Sequence, residues 1–367
     1  SDRLLDQFVH VINWLKEWAC SRQFGLGTQL PWDTQWVIDS LSDSTVYMAY
    51  YTIAHHFHAV GDEHSFSGCD NAAISPEQLT DEVFDFIFLN KPLATAQTIP
   101  MDLLANLKKE FEYWYPMDLR VSAKDLIQNH LTMALYNHAE IWKDRPEMWP
   151  RGMYCNGHIM VDAEKMSKSK GNFLMMRECV EDYTADATRF ALADAGDTLE
   201  DANFDRKVAN NAISNLYVEE EWIRATIADI EKGLLRTGTP DTYTFMDQAF
   251  NNEIDYLVEA TSQCYENMLF RDGIHRSWFD MTIVRDTYRD WSVKCGIPMH
   301  QGIILRFIEC LAITMSPIIP HWSDMIWTVL TECNAANAGE KRCSSVGLPM
   351  YHSIEVFANS SLFSVIS

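Results

Sequence analysis

The sequence has few basic side chains. Its 367 residues include 29 lysines and arginines against 52 aspartates and glutamates, which gives a formal net charge of −23. Because contacts to nucleic-acid phosphates need Lys and Arg, this balance speaks against a surface that binds nucleic acid throughout. A local basic groove stays compatible with it, since a total charge does not describe how the charges are distributed.

Paired cysteines and long apolar runs are also missing. None of the nine cysteines forms a CxxC pair, which argues against a cysteine-based zinc site and fits reduced thiols in an intracellular compartment. The most apolar run, near 303–319, is interrupted by Arg306, Glu309 and Pro317. We therefore expect a buried helix there, and no membrane association.

The ends of the sequence lack the usual signals. Ser1 opens the chain without an initiator methionine or a signal peptide, and the next residues already have the apolar spacing of a helix. Residues 360–367 contain no clear closing element. These features predict a fragment of a longer protein.

The order of patterns predicts an α/β layer followed by helices. A short strand is expected at 118–122, a helix at 126–142 and a second strand at 151–162, with Gly-, Ser-, Asp- and Pro-containing residues at about 60–105 forming a surface insertion. After about residue 195 the pattern predicts an all-helical bundle. The clearest predicted helices are 184–194, 207–231, 246–272, 302–315 and 321–332.

One basic cluster stands out in this acidic chain. The run KMSKSKGN at 165–172 places Lys165, Ser167, Lys168 and Ser169 on a short loop after a predicted strand. Flexible ammonium groups can follow phosphate oxygens and stabilise a developing pyrophosphate. A solvated surface turn is the alternative for any isolated KxxK pattern.

A second cluster follows the strand predicted at 118–122. Asp125 and His130 lie where that strand gives way to a helix, and ligands bind at this edge of parallel sheets. A carboxylate there can accept ribose hydroxyls, and an imidazole one to two turns later can line a small pocket. Taken singly, a capping Asp and a core His are equally good interpretations.

A third pattern lies in the run LSDSTVYMAYY at 41–51. Leu41, Ser44 and Tyr47 are three residues apart, so they share one face of a predicted helix and can wall an aliphatic pocket. Plain core packing is the alternative.

Together these segments resemble class I aminoacyl-tRNA synthetases, and among them the eukaryotic cytosolic leucyl-tRNA synthetases. KMSKSKGN is similar to the second signature of the class, and 41–51 resembles the amino-acid-pocket helix of the leucyl enzymes. Residues 18–33 resemble the segment at which the chain returns from an inserted editing domain. Residues 316–327 resemble Pro-bracketed helices of an anticodon-binding domain.

The resemblance implies a set of site residues. Catalytic and ATP-binding roles fall on Lys165, Ser167, Lys168, Ser169, Asp125, His158, Ile159 and Met160. The implied amino-acid pocket consists of Leu41, Ser44, Tyr47 and His130. The implied cofactors are ATP and the Mg²⁺ that accompanies it, with no structural zinc and no metal-ligating residue.

The resemblance also implies a domain arrangement and a reaction. Residues 1–205 would be the C-terminal portion of a Rossmann-like catalytic domain, 206–345 a helical anticodon-binding domain and 346–367 an unmatched tail. The implied activity is ATP-dependent activation of leucine and its transfer to tRNA(Leu) in the cytoplasm. The partners are tRNA(Leu), leucine, ATP and the upstream half of the enzyme.

Two family features are missing from the sequence. The HxGH-type ATP signature is absent, because His55-His56-Phe57-His58 has neither its glycine nor its strand setting, and the editing domain is absent as well. We therefore expect the isolated chain to form leucyl-adenylate poorly or not at all. Two other classes stay open: a small-molecule adenylyltransferase, which would lack the helical bundle, and a non-catalytic tRNA-binding or scaffold fragment.

Overall fold

The computed structural model describes residues 2–25, 27–57, 74–167, 169 and 171–338. The chain forms two compact units, Ser1–Gly157 and His158–Ser367. The lysine loop therefore lies in the same compact unit as the helices that follow it. The reason is that the strands around the loop pair with a later strand, and the helix at 185–195 packs on the first helix of the bundle.

Helices dominate the described residues. In chain order they are α1 (Asp2–Trp14), α2 (Ser40–Asp43), α3 (Tyr47–Tyr51), α4 (Asp81–Leu89), α5 (Met101–Trp114), α6 (Thr132–Ile141), α7 (Met176–Tyr183), α8 (Ala185–Ala195), α9 (Arg206–Glu231), α10 (Phe245–Glu266), α11 (Phe270–Ile274), α12 (Met281–Cys295), α13 (Gln301–Met315) and α14 (Pro320–Ala338). The strands are β1 (Ser21–Arg22), β2 (Gln29–Leu30), β3 (Asp33–Ile38), β4 (Arg120–Ala123), β5 (Met153–Asn156), β6 (Ile159–Val161), β7 (Glu164–Lys165) and β8 (Ala202–Phe204).

The described residues of the first unit form two small sheets. In one, β3 lies between β1 and β2, and all neighbours are antiparallel. The close approach of the backbone explains Gly27, because a Cβ there would lie 2.7 Å from the carbonyl oxygen of Ile38. In the other, β4 and β5 are parallel and are joined through α6, which makes a β–α–β unit.

Apolar side chains of α4 and α5 form much of the core of the first unit. Val83 of α4 and Leu107 and Phe111 of α5 are fully buried, and they pack with Trp142 directly after α6. The described part of the expected surface insertion at 60–105 therefore contributes to the core. Its signal was the apolar run of α4, DEVFDFIFL, which the Gly- and Asp-rich residues before it obscured.

The second unit joins a three-stranded sheet to a helical bundle. The strand order is β7-β6-β8, with β6 antiparallel to β7 and parallel to β8. The bundle core consists of apolar side chains from α8 to α14 and includes Ile223, Ile254, Phe307 and Ile326.

Most predicted bundle helices are confirmed. The helices predicted at 184–194, 207–231 and 302–315 agree with α8, α9 and α13 to within one residue at each end. The helix predicted at 246–272 is interrupted at 267–269, where Met268 has φ 58°. The prediction for 321–332 ended early, because α14 continues to Ala338.

The strand predictions were less accurate. The single strand expected at 151–162 is wrong, because β5 and β6 belong to different sheets and are separated by Gly157-His158. Strand β8 was not foreseen, since its three residues lie within a region that the pattern made helical. Among the described residues, none of the helices combines the length and the apolar character needed to cross a membrane.

Candidate active site

The lysine loop begins on a tight hairpin between β6 and β7. Asp162 and Ala163 form its two-residue turn with φ values of 50° and 63°, the sign that a type I′ turn requires at both positions. The turn is held from outside: Asn203 Oδ1 accepts from the Ala163 N–H at 2.6 Å, and Arg206 Nε donates to Asp162 Oδ2 at 3.1 Å. Lys165 ends β7 opposite Met160 and is exposed.

The loop itself is closed by Asn172. Its Oδ1 accepts from the Ser167 N–H at 2.8 Å, and its Nδ2 donates to the Lys165 carbonyl at 3.2 Å. The Ser167 and Ser169 hydroxyls lie 2.8 Å apart and form a hydrogen bond. The structure therefore brings Lys165, Ser167 and Ser169 together. Lys168 lies outside the described residues.

The strand before the loop carries the predicted adenine-side residues. The His158 N–H donates to Asp201 Oδ1 at 2.8 Å, and its Nδ1 lies 3.6 Å from the same oxygen. Ile159 follows on β6 with 40% of its side chain exposed, an unusual position for a large apolar residue in the central strand of a sheet. β7 pairs only with Met160 and Val161, so no described strand covers the edge of Ile159 that faces away from β8.

In the first unit, Asp125 follows the carboxyl end of β4. It lies in a 3₁₀ turn at Lys124–Leu126 and its side chain is exposed. β5 ends in register with β4, so Ala123 and Asn156 terminate the same edge of this parallel pair. The predicted strand-end position of Asp125 is therefore observed.

His130 lies on a π-helical turn, Ile127–Leu131, a type of irregularity that is frequent at functional sites. The ring is buried, and Nε2 lies 3.2 Å from the Ser44 carbonyl, which can only accept. Burial lowers the pKa of His130, and the Arg120 charge lowers it further against the opposing effects of the Ser44 bond and Asp43. His130 is therefore neutral with its proton on Nε2, and Nδ1 is a buried acceptor without a partner among the described residues.

The helical face predicted for Leu41, Ser44 and Tyr47 is wrong. α2 ends at Asp43 and α3 begins at Tyr47, because the backbone leaves the helical region between them, with φ −119° and ψ 2° at Val46. Ser44 nevertheless reaches His130 through its carbonyl. Leu41 is half-buried.

Arg120 lies near both Tyr47 and His130. Its guanidinium lies 5.3 Å from the centre of the Tyr47 ring, and its charge acts on His130. Sequence reasoning missed Arg120 because a basic residue on a short strand carries no signal by itself. Sequence reasoning also missed that Asn172 closes the loop, because the lysines and serines of KMSKSKGN drew the interpretation toward phosphate binding.

Comparisons with known proteins relate the chain to one family. A family model described as tRNA synthetases class I (I, L, M and V) matches residues 2–205. The chain is 46% identical over 328 residues to a cytoplasmic leucine–tRNA ligase of Arabidopsis thaliana, covering 89% of this chain and 29% of that protein. A cytoplasmic leucine–tRNA ligase of Saccharomyces cerevisiae is 42% identical over 320 residues, covering 87% of this chain and 28% of that protein. The chain thus spans less than a third of the length of these relatives.

A solved structure shares the fold. Methionyl-tRNA synthetase of Mycobacterium tuberculosis, in complex with methionyl-adenylate, matches with a TM-score of 0.59 at 16% identity. The match covers 89% of this chain and 60% of that chain.

Proposed function

Because this chain belongs to the class I tRNA synthetases (I, L, M and V), we propose that it is the lysine-loop and amino-acid-pocket portion of a cytoplasmic leucine–tRNA ligase. The observation that carries this proposal is the KMSKSKGN loop, closed by Asn172, in a chain 46% identical to a cytoplasmic leucine–tRNA ligase. The proposed reaction activates leucine with ATP and then transfers it to tRNA(Leu).

In the first step a leucine carboxylate oxygen attacks the α-phosphorus of ATP, and the bond to the β-phosphate oxygen breaks to release pyrophosphate. The Lys165 and Lys168 ammonium groups would stabilise the negative charge that develops on the leaving group. Ser167 and Ser169 would hold the loop and offer hydroxyl donors. Mg²⁺ enters as part of the ATP substrate. Catalysis would rest on positioning and charge stabilisation, as in other phosphoryl-group reactions.

The adenosine portion would be bound by residues at the ends of strands. The exposed Asp125 carboxylate suits the ribose hydroxyls, since a carboxylate accepts hydrogen bonds from both. The open edge of Ile159 suits an adenine ring, whose amino group and ring nitrogens pair with backbone groups. Met160 and His158 would flank this position.

The leucine pocket would be formed by Leu41, Ser44, Tyr47 and His130. The neutral His130 supports this role, because its buried Nδ1 can accept a hydrogen bond from the substrate ammonium, which carries three donors. Leu41 and the Tyr47 ring supply apolar surface for the side chain. Discrimination between leucine and isoleucine would depend on pocket shape, which is worth about 1–3 kcal/mol for one methyl position.

The bundle favours a tRNA ligase over a small adenylyltransferase. The helices α9 to α14 form a bundle after β8, and we infer that the predicted domain 206–345 binds the anticodon end of tRNA(Leu). In the second step a terminal adenosine hydroxyl of the tRNA attacks the leucyl carbonyl and releases AMP. Residues 1–205 would then be the matching part of the catalytic domain.

A chimera tests the proposal in the context of a complete enzyme. The matched segment of the Saccharomyces cerevisiae relative is replaced by this chain, and amino-acid-dependent ATP–pyrophosphate exchange is measured. We expect leucine to stimulate exchange, and isoleucine, valine and methionine to fail. Lys165→Ala should lower the rate by about 100-fold, the usual cost of losing one donor to a developing negative charge.

Lys232→Ala is the matched control, because Lys232 is an exposed lysine of the same unit that pairs with Asp229 in a surface contact. It should leave exchange unchanged. A folded chimera that exchanges with another amino acid, or in which Lys165→Ala equals Lys232→Ala, would show the proposal to be wrong. The isolated chain should exchange poorly, as the missing ATP signature predicts.

A further inference from the structure

Two adjacent histidines face one glutamate away from the site described above. His55 and His56 lie on a 3₁₀ turn, Ala54–His56, and Glu110 lies on α5. In sequence the histidines appear only as a failed match to an ATP signature. Within the described residues, this is the one group of three His, Cys, Asp or Glu side chains whose ligand atoms all lie within 4.8 Å of one another.

The distances in this cluster resemble those of a metal coordination shell. His55 Nε2 lies 3.1 Å from Glu110 Oε2, and His56 Nε2 lies 3.0 Å from both carboxylate oxygens. Neighbouring ligands of a tetrahedral ion at 2.0–2.2 Å are about 3.3–3.6 Å apart. Both histidine–glutamate distances are within a few tenths of an ångström of this spacing, and the ligand nitrogens of the two histidines lie within 4.8 Å of one another.

Both sides of the cluster are anchored in the core. Ile53 and Phe57, on either side of the histidine turn, are buried, and Phe57 stacks on Tyr50 at 5.9 Å. On α5, the residues three before and one after Glu110 are Leu107 and Phe111, both fully buried. The ligands are thus presented from fixed backbone, which limits the ordering cost of binding an ion.

A neighbouring amide also orients the carboxylate. Asn106 Nδ2 donates to Glu110 Oε1 at 2.9 Å from one turn earlier on the same helix. Such outer contacts position metal ligands and typically affect affinity by 10–100-fold. His55 is 60% exposed, which leaves room for water as a fourth ligand.

We propose that His55, His56 and Glu110 bind a divalent transition-metal ion, with Zn²⁺ as the best match to two imidazoles and a carboxylate. The ion joins the histidine turn to α5 and so stabilises the first unit. The absence of CxxC pairs argues only against cysteine-based zinc sites, and the proposed ligands include no cysteine.

The test is Zn²⁺ titration of the EDTA-treated chain against a chromophoric chelator. Wild type should bind one more Zn²⁺ than Glu110→Gln or His56→Gln, or bind it more than tenfold tighter. Asn106→Ala should lose about tenfold in affinity. His10→Gln, an exposed histidine on α1, is the control and should match wild type.

Two further measurements separate this site from other ligands and from misfolding. Co²⁺ bound by wild type but not by Glu110→Gln should give d–d absorption without a thiolate charge-transfer band, since no cysteine takes part. Zn²⁺ should raise the melting temperature of wild type and not of Glu110→Gln, while both melt alike in EDTA. If both ligand variants bind Zn²⁺ as wild type does, the proposal is wrong.

Discussion

Loss of Arg285 should destabilise the helical bundle far more than loss of an exposed arginine. Arg285 of α12 and Glu219 of α9 are 6% and 5% exposed, and their two hydrogen bonds measure 2.6 and 2.9 Å. The guanidinium also lies 4.0 Å from the centre of the Trp222 ring. Removing one partner of such a buried pair leaves an uncompensated charge and costs about 3–5 kcal/mol.

The expected result for Arg285→Met is a fall in melting temperature of about 10 °C, since 1 kcal/mol corresponds to about 2–4 °C for 150–250 residues. Thermal unfolding followed by circular dichroism measures it. Arg224→Met is the matched control. Arg224 forms a 2.8 Å ion pair with Glu220, and both residues lie on α9, the helix that also carries Glu219. Unlike Arg285, the Arg224 side chain is 45% exposed. Pairs of that kind contribute about 0.3–0.5 kcal/mol, so the control should shift by less than about 2 °C.

A double variant shows whether the loss of stability comes from losing the attraction between Arg285 and Glu219 or from leaving Glu219 buried without a partner. Glu219→Met combined with Arg285→Met removes both charges, and we expect stability close to that of wild type or above it. Burial raises the pKa of Glu219, and Arg285 opposes this effect. Without Arg285 that pKa rises further, so the stability of Arg285→Met should recover as the pH falls through it. Equal shifts for Arg285→Met and Arg224→Met would refute the reasoning.

Two further predictions concern the lysine loop and the pH dependence of stability. In the chimera, Asn172→Ala removes two loop hydrogen bonds of about 1 kcal/mol each and should lower exchange by up to about 30-fold. Asn172→Asp should be intermediate because it keeps the acceptor for Ser167, and rates within twofold of wild type for Asn172→Ala would contradict this. His138 is fully buried, donates from Nδ1 to Ala134 at 2.7 Å and accepts from Tyr115, and burial lowers its pKa. Near pH 6.5 the unfolded state therefore binds a proton at His138 that the folded state does not bind. The free energy of unfolding, measured with urea, should fall as the pH drops below 6.5, by at most about 1.4 kcal/mol per pH unit. His138→Gln should reduce this dependence of stability on pH.

Sequence patterns predicted the bundle better than the α/β layer because the two depend on different information. Helices such as α9 and α13 repeat their apolar residues over many turns, so the period is clear within the segment itself. Strands of two to four residues show no period. Their existence depends on partners far along the chain, as when β6 pairs with β8 some forty residues later.

The site shows the same division. The lysine cluster is local and was visible as a motif, and the strand-end position of Asp125 followed from a short strand pattern. The contact between His130 and the Ser44 carbonyl joins residues 86 positions apart, and no spacing rule reports it. The break between α2 and α3 was also hidden, because Ser and Thr side chains can cap a helix or lie within one.

The lysine hairpin is positioned by the bundle as well as by its own sheet. Arg206, the first residue of α9, donates to Asp162 in the hairpin turn, and the same 26-residue helix carries Glu219 into the bundle core. The helix that contacts the hairpin turn is thus itself held in the bundle core by the Glu219–Arg285 pair, so loss of that pair removes one of the contacts that fix α9.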